Sequence, residues 1–289
     1  MTDRPAVAVD DQQPNSKNKE LILRINSALV LGAVSLILAY RGPYSFAALI
    51  AVFIALMAWE WGRLVRGKGI DLAFVLQAAA TGAAVVLTAM GCPSCGVSLV
   101  VIGTLAVFIL RRMGDPPEKA WWSAAGVYYA GLPAVALVWL RTDPNYGWFA
   151  ILFLFVIVWT TDSAAYAFGR MIGGPKLAPR ISPGKTWAGL AGGVATASVA
   201  SVVFAYFLGG TSYAILGLIG AVLSLVSQLG DLAESAIKRL FGFKDTSNLI
   251  PGHGGVLDRM DGLVAAAFTA SLVAWAVNPA QPGAGLLIW

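Results

Sequence analysis

Charge is what this chain has least of. Asp, Glu, Lys and Arg make up 12% of its 289 residues, against the roughly 25% of a soluble globular domain. With 58% apolar residues and a mean hydropathy of +0.73, that scarcity excludes an ordinary water-soluble domain and marks a membrane protein. Histidine is reduced to His253 and cysteine to Cys92 and Cys95, which excludes a zinc centre of Cys and His ligands and a disulfide-stapled scaffold. The two cysteines, in Gly91-Cys92-Pro-Ser-Cys95-Gly, read as a turn that can carry a disulfide, with redox chemistry as the alternative. No nucleotide P-loop is present: Gly189, Gly192, Gly193, Gly217 and Gly220 lack the preceding strand and the following Lys-Ser or Lys-Thr. They read instead as small faces for close helix packing. Residues 1–20 lack the apolar core and small-residue cleavage site of a secretory signal and read as a disordered cytoplasmic tail.

What remains is a succession of apolar segments. Nine are long enough to approach a bilayer crossing, at about 25–40, 44–62, 72–90, 96–110, 120–140, 147–170, 187–208, 212–236 and 260–277. The predicted architecture is all-α: one polytopic membrane domain over 21–289, with scaffold helices to about 145 and a catalytic half at 146–278. Nine spans with a cytoplasmic N-terminus put every Lys and Arg on the cytoplasmic side except Arg41 and Arg141, as the positive-inside rule requires. The net charge of +5 therefore reflects topology, and nucleic acid is not expected as a partner. Glu60, between Trp59 and Trp61, reads as an interfacial anchor.

From the sixth span onward, polar residues enter the spans. Asp162, Tyr166 and Arg170, four apart, share one helical face. In the eighth, Ser224, Ser227, Gln228, Asp231, Glu234, Ser235 and Lys238 form a stripe that must face other helices or a water-filled cavity. Five of the fifteen acidic residues lie between Ser227 and Asp261. Carboxylates without cysteine or several histidines suit magnesium, with Asp231, Asp258 and Asp261 as the ligands. Nearby stand Lys176, Arg180, Lys185, Lys238, Arg239, Lys244 and Arg259, and a metal ringed by cations is equipment for phosphoryl or nucleotidyl transfer. Pro251-Gly252-His253-Gly254-Gly255 would let backbone approach a phosphate, with His253 as donor or proton shuttle. For Arg63, Arg66, Lys68, Arg111 and Arg112 topology alone accounts for the charge.

These residues also carry a family resemblance. Ser235-Ala-Ile-Lys238-Arg239, four residues, Lys244-Asp245, then Ile250-Pro251-Gly-His253-Gly254-Gly255-Val-Leu-Asp258-Arg259-Met-Asp261 resembles the signature of the phosphatidate cytidylyltransferases, or CDP-diacylglycerol synthases. Two upstream blocks are similar as well: Trp159-Thr-Thr-Asp162-Ser-Ala-Ala-Tyr166-Ala-Phe-Gly169-Arg170 and Ile181-Ser182-Pro183-Gly-Lys185-Thr186-Trp187-Ala-Gly189. The resemblance implies an enzyme of phospholipid biosynthesis that joins CTP to phosphatidic acid with Mg2+, with room for a second cation. It also implies a homodimer in a bacterial-type plasma membrane with its active site facing the cytoplasm. By the same resemblance Lys185, Lys238, Arg239, Lys244, Asp245, His253 and Arg259 are catalytic. Asp162, Tyr166, Arg170, Ser182, Thr186, Ser235, Gly254 and Gly255 would contact substrate. The chain departs from the family at Gly184, Ala188 and Leu240, where basic, acidic and polar residues are common.

Three other readings share some of these features. A CDP-alcohol phosphotransferase would share Asp258-Arg-Met-Asp261-Gly262 but needs Arg where Ala266 stands. A lipid kinase differs in releasing a nucleoside diphosphate. A transporter would need polar residues continuing to the outer face and two similar halves, and neither is apparent.

Overall fold

A backbone in hydrocarbon must satisfy its own hydrogen bonds, and helices do so within one segment. The computed structural model describes residues 14–250 and 254–289, with side chains from Asn26 onward. Ten helices account for most of these residues: α1 (Pro14–Arg41), α2 (Pro43–Arg66), α3 (Leu72–Ala89), α4 (Pro93–Arg112), α5 (Pro117–Arg141), α6 (Gly147–Met171), α7 (Trp187–Leu208), α8 (Tyr213–Leu240), α9 (Leu257–Val277) and the short α10 (Pro282–Leu287). Eight of them, α2 to α9, are long and apolar enough to cross a membrane, and α1 adds the shorter apolar stretch Asn26–Arg41. The nine expected segments thus coincide with α1–α9, and the protein is an all-α integral membrane protein. Of the expected tail, residues 1–13 lie outside the described residues, whereas 14–20 form the first turns of α1.

Helix ends follow local chemistry. Proline occupies the first turn of α2, α4, α5 and α10, where its missing N–H has no helical partner to lose. Gly67, left-handed at φ 72°, closes α2, and Asp71 caps α3 by accepting the Phe74 N–H at 2.8 Å. Cys92 and Cys95 are joined in a disulfide at the start of α4. One feature escaped the helical reading altogether: an antiparallel hairpin, β1 (Lys176–Ala178) with β2 (Ser182–Thr186), between α6 and α7.

Two groups of helices meet along α9. On one side α2, α3, α4 and α5 pack together, on the other α6, α7 and α8, and α9 touches α2, α5, α6, α8 and α10. Small residues permit the closest crossings. A Cβ on Gly193 would lie 3.2 Å from the Thr161 carbonyl of α6, and one on Gly220 would strike Ser201 of α7, consistent with their expected packing role.

The bundle's two ends differ. At one, Arg141 donates to the α1 carbonyls of Ala39 (2.6 Å) and Tyr40 (3.3 Å), Asp143 accepts the Ala284 N–H of α10 (3.0 Å), and Thr211 donates to the Leu287 carbonyl (2.6 Å). Arg141, one of the two cations left off the basic side by sequence, thus occupies the orphan carbonyls of a helix C-terminus. At the other end Arg66 and Arg111 pair with Asp71, and Arg111 also pairs with Asp115, so these two cations join the interhelical connections as well as marking topology. Gly220→Val should lower the stability of the detergent-solubilised protein by about 2 kcal/mol through overpacking against Ser201, read from its thermal unfolding.

Candidate active site

The polar stripe of α8 separates into two parts. Two of its upper residues bond to neighbouring helices: Thr161 of α6 donates to Ser224 at 2.8 Å, and the Gln228 amide reaches the Leu190 carbonyl of α7 at 3.3 Å. Its lower residues build two cation–carboxylate hubs. In the first, Lys238 Nζ lies 2.6 Å from Glu234 Oε2, one turn earlier, and 2.5 Å from Asp258 Oδ1 of α9. All three side chains are 11% exposed or less, so this is a desolvated triad in which each charge depends on the others. In the second, Lys185 Nζ, carried on β2, lies 2.7 Å from Asp231 Oδ2 and 3.4 Å from the Gln228 carbonyl, and the Asp231 side chain is 36% exposed.

Two glycines bring α8 and α9 together at these hubs. A Cβ on Gly230 would sit 2.6 Å from Ala265 Cβ and 3.0 Å from the Asp261 carbonyl, and one on Gly262 would sit 2.5 Å from Ser227 Oγ. Each glycine adjoins an aspartate, Asp231 or Asp261, so the close crossing delivers both carboxylates to one place. Asp261 lies within Coulomb range of Asp231, Glu234 and Asp162, and Asp162 within range of Asp231, Lys185 and Arg259.

Asp258 is the most heavily bonded of the three expected ligands. Its Oδ1 meets Lys238, and its Oδ2 accepts from Thr246 N (3.0 Å), Thr246 Oγ1 (2.8 Å) and Gly255 N (2.9 Å). Expected on sequence as a leading metal ligand, it also organises the signature loop, with both oxygens engaged in this structure. The loop turns at Gly254, at φ 84°, a conformation open to glycine, and Ile250 N donates to the Gly254 carbonyl at 2.9 Å.

Sequence reading misplaced Glu60. Expected as an interfacial anchor, it is wholly buried, accepting from Ser247 Oγ (2.5 Å), Val256 N (2.9 Å) and Leu257 N (2.6 Å). The Trp59-Glu60-Trp61 surroundings look interfacial in one dimension, and the donors are almost 200 positions away. Tyr129 was also missed. Its buried hydroxyl has no partner among the described residues, its ring stacks on Trp61 at 5.3 Å, and it lies within Coulomb range of Asp261, Glu234, Asp231 and Asp258. A tyrosine in the Ala- and Gly-rich α5 was the available signal.

Other residues are distributed as follows. Ser235 donates to Asp231 at 3.4 Å. Arg239 ties the end of α8 to the Ile181 carbonyl (3.4 Å) and to Phe243 (3.1 Å). Tyr166 and Arg170 bond each other on an exposed face of α6, and Ser182 lies in β2. Thr186 is buried and caps α7 by accepting the Gly189 N–H at 3.0 Å, which gives its hydroxyl a structural use. Lys244 and Asp245 are exposed in the loop. His253 lies outside the described residues. Gly184 has open space around it and Leu240 is exposed, so neither departure disturbs packing.

An apolar cavity of about 600 Å3 adjoins this cluster, walled by α1, α2, α5, α6 and α9, and its lining includes Gly32, Leu36, Phe53, Phe155, Trp159 and Leu263 together with Asp162 and Arg259. The site therefore combines anchored cations and hard oxygen donors at one end of a membrane bundle, with an oily recess running from Asp162 and Arg259 toward Phe46 and Leu137.

A model of the Cytidylyltransferase family matches residues 22–277. The chain belongs to this family. Among its relatives, the phosphatidate cytidylyltransferase of Brucella suis is 43% identical over 251 residues, covering 84% of this chain and 89% of that one. The proteins of the same name from Pseudomonas aeruginosa (36% over 275 residues, 90% and 98% covered) and Haemophilus influenzae (34% over 273, 84% and 94%) are also similar. In this member Lys185 and Lys238 are each paired with carboxylates. Removing Lys238 leaves two buried carboxylates without their cation. Lys238→Met should therefore cost about 3–5 kcal/mol of stability, and Lys185→Met, at the more exposed hub, no more than ~1 kcal/mol, compared by thermal unfolding in one detergent.

Proposed function

We propose that this cytidylyltransferase transfers the cytidylyl group of CTP to phosphatidic acid, forming CDP-diacylglycerol and pyrophosphate. The observation that carries the reading is the apolar cavity whose wall includes the charged Asp162 and Arg259, the latter adjoining Asp258 of the Lys238 hub in sequence, which lets one site meet a polyanionic nucleotide and a lipid. In this reaction a phosphate oxygen of the lipid bonds to the α-phosphorus of CTP, and the bond to the β-phosphate breaks. The attacking phosphate is already anionic near neutral pH, so a strong general base is unnecessary, and positioning and charge neutralisation carry the rate. Lys185, Lys238, Arg239, Lys244 and Arg259 supply the positive charge for the triphosphate and the lipid phosphate. Lys185 approaches from the hairpin, Lys238 and Arg239 from α8, Lys244 from the loop and Arg259 from α9. Asp162 and Arg259 stand where the cavity meets the polar cluster, which suits a lipid whose chain lies in the recess and whose phosphate reaches the cations.

Magnesium fits the donor set: Asp231, Asp261 and Glu234 are hard oxygen donors, and an oxygen of Glu234 is buried without a hydrogen-bond partner. Three carboxylates do not converge on one point among the described residues, so the cation would be held by one or two carboxylates together with substrate phosphates. Asp231 and Asp261 would hold it, with Asp258 maintaining the loop beside them. Bound there, magnesium would neutralise charge developing on the phosphate oxygens. The basic end of the bundle faces the cytoplasm of a bacterial plasma membrane, where CTP is available, by the positive-inside rule. Family resemblance supports a homodimer.

Purified protein given phosphatidic acid, labelled CTP and magnesium should form a CDP-lipid and release pyrophosphate. Release of CDP with a phosphorylated lipid, or no product at all, would overturn the reading. Asp231→Asn and Asp261→Asn should each lower turnover at least ~100-fold while the protein remains inserted. A large side chain at Gly32, whose Cβ position is 3.6 Å from Trp159, would fill the recess. Gly32→Trp should raise KM for long-chain phosphatidic acid about tenfold through lost apolar burial, with KM for CTP unchanged.

A further inference from the structure

Helix α9 has no capping side chain of its own at its N-terminus, where Val256 is the N-cap. The acceptors for its first N–H groups come from α2: Glu60 Oε1 takes Val256 N and Oε2 takes Leu257 N. No cation pairs with Glu60 among the described residues, and the carboxylate is fully buried. Its charge is therefore held by oriented N–H and O–H donors at the positive end of a helix. The neighbouring hydroxyls of the loop are sorted between two carboxylates. Thr246 donates to Asp258 and Ser247 to Glu60. Gly255 sits between them, since a Cβ there would collide with both Thr246 Oγ1 and Glu60 Oε1.

The described loop residues Thr246, Ser247 and Gly255 and the start of α9 are thus held from two sides, by Asp258 of the same helix and by Glu60 from the opposite half of the chain. We infer that Glu60 is a positioning residue for the reaction: it sets the angle at which the loop enters α9, and so places Asp258 and Arg259. It touches no substrate. Leu257, whose N–H it holds, is the residue immediately before Asp258, so an error of fit at Glu60 is transmitted to the Lys238 hub within one peptide. Cohesion of α2 itself depends on other residues, including Phe46, Ile54 and Trp61, all buried in the main core.

This inference rests on the proposed cytidylyl transfer, and the test separates the two. Full-length Glu60→Gln keeps the shape but replaces one acceptor by a donor facing other donors. Its kcat should fall about 100-fold, the scale of a misplacement near 1 Å, with KM for CTP and for lipid within about threefold of wild type. Asp143→Asn is the matched control, a buried carboxylate that holds backbone N–H groups of Asn145, Tyr146 and Ala284 at the other end of the bundle. It should keep wild-type kcat per folded molecule even where its Tm falls. Ser247→Ala, which removes a single donor, should lower kcat about tenfold and keeps the question decidable if Glu60→Gln does not insert. Wild-type kcat in Glu60→Gln or in Ser247→Ala would overturn the inference, as would equal losses in Glu60→Gln and Asp143→Asn. Hydrogen exchange at Val256 and Leu257 should quicken in the Glu60 variant, and unchanged exchange would count against positioning. That readout needs no turnover, so an inactive wild type would refute the proposed reaction without touching the clamp.

Discussion

Buried charge has to be answered atom by atom, and the working end of this protein is organised around that demand. Lys238 is the centre of it. One ammonium group holds Glu234 and Asp258 together, joins α8 to α9, and leaves the second oxygen of Asp258 free to gather Thr246 and Gly255. Without that cation the same residues would be two carboxylates in a low-dielectric interior, repelling each other and poorly solvated. The loop, held by the second oxygen of Asp258, depends directly on this triad.

The second dependence runs across the chain. Helices α2 to α5 could be taken for packing material, being rich in Ala, Val and Leu, yet two of them reach the site. Glu60 on α2 completes the N-terminus of α9, and Tyr129 on α5 has a buried hydroxyl with no partner among the described residues. Trp61 connects them, stacking on Tyr129 and donating its indole N–H to the Trp122 carbonyl at 2.8 Å. The division into scaffold and catalytic halves describes where the motifs lie along the chain. It does not describe which residues the geometry uses.

Much of this was legible in sequence because a membrane simplifies the code. Apolar length alone located α1 to α9 to within a few residues at most ends, and four-residue spacing identified the stripe of α8 as a buried surface. Gly-Asp and Asp-Gly at 230–231 and 261–262 are readable in hindsight as a close crossing that delivers carboxylates. The β hairpin was not legible, since its five-residue strand Ser182–Thr186 contains Pro183 and Gly184, which are poor strand residues. Glu60 and the saturation of Asp258 were not legible either. Each depends on hydrogen bonds to backbone N–H groups distant in sequence or presented by a turn, and backbone donors leave no mark on residue identity. Sequence also could not see what each carboxylate holds: it offered Asp231 and Asp258 as the foremost ligands with Asp261 behind them, and the geometry adds that Asp258 also organises the loop.

The bond from Glu60 to the first turn of α9 spans 197 positions, which bears on biogenesis. Spans leave the translocation machinery in order, and α2 is placed long before α9 is synthesised. Until α9 arrives, the carboxylate of Glu60 has none of the donors it holds in the finished protein. The transferase centre is consequently assembled at the end of insertion, when the last long helix closes against the second. A nascent chain interrupted before that helix would hold eight of its nine long helices and no organised signature loop.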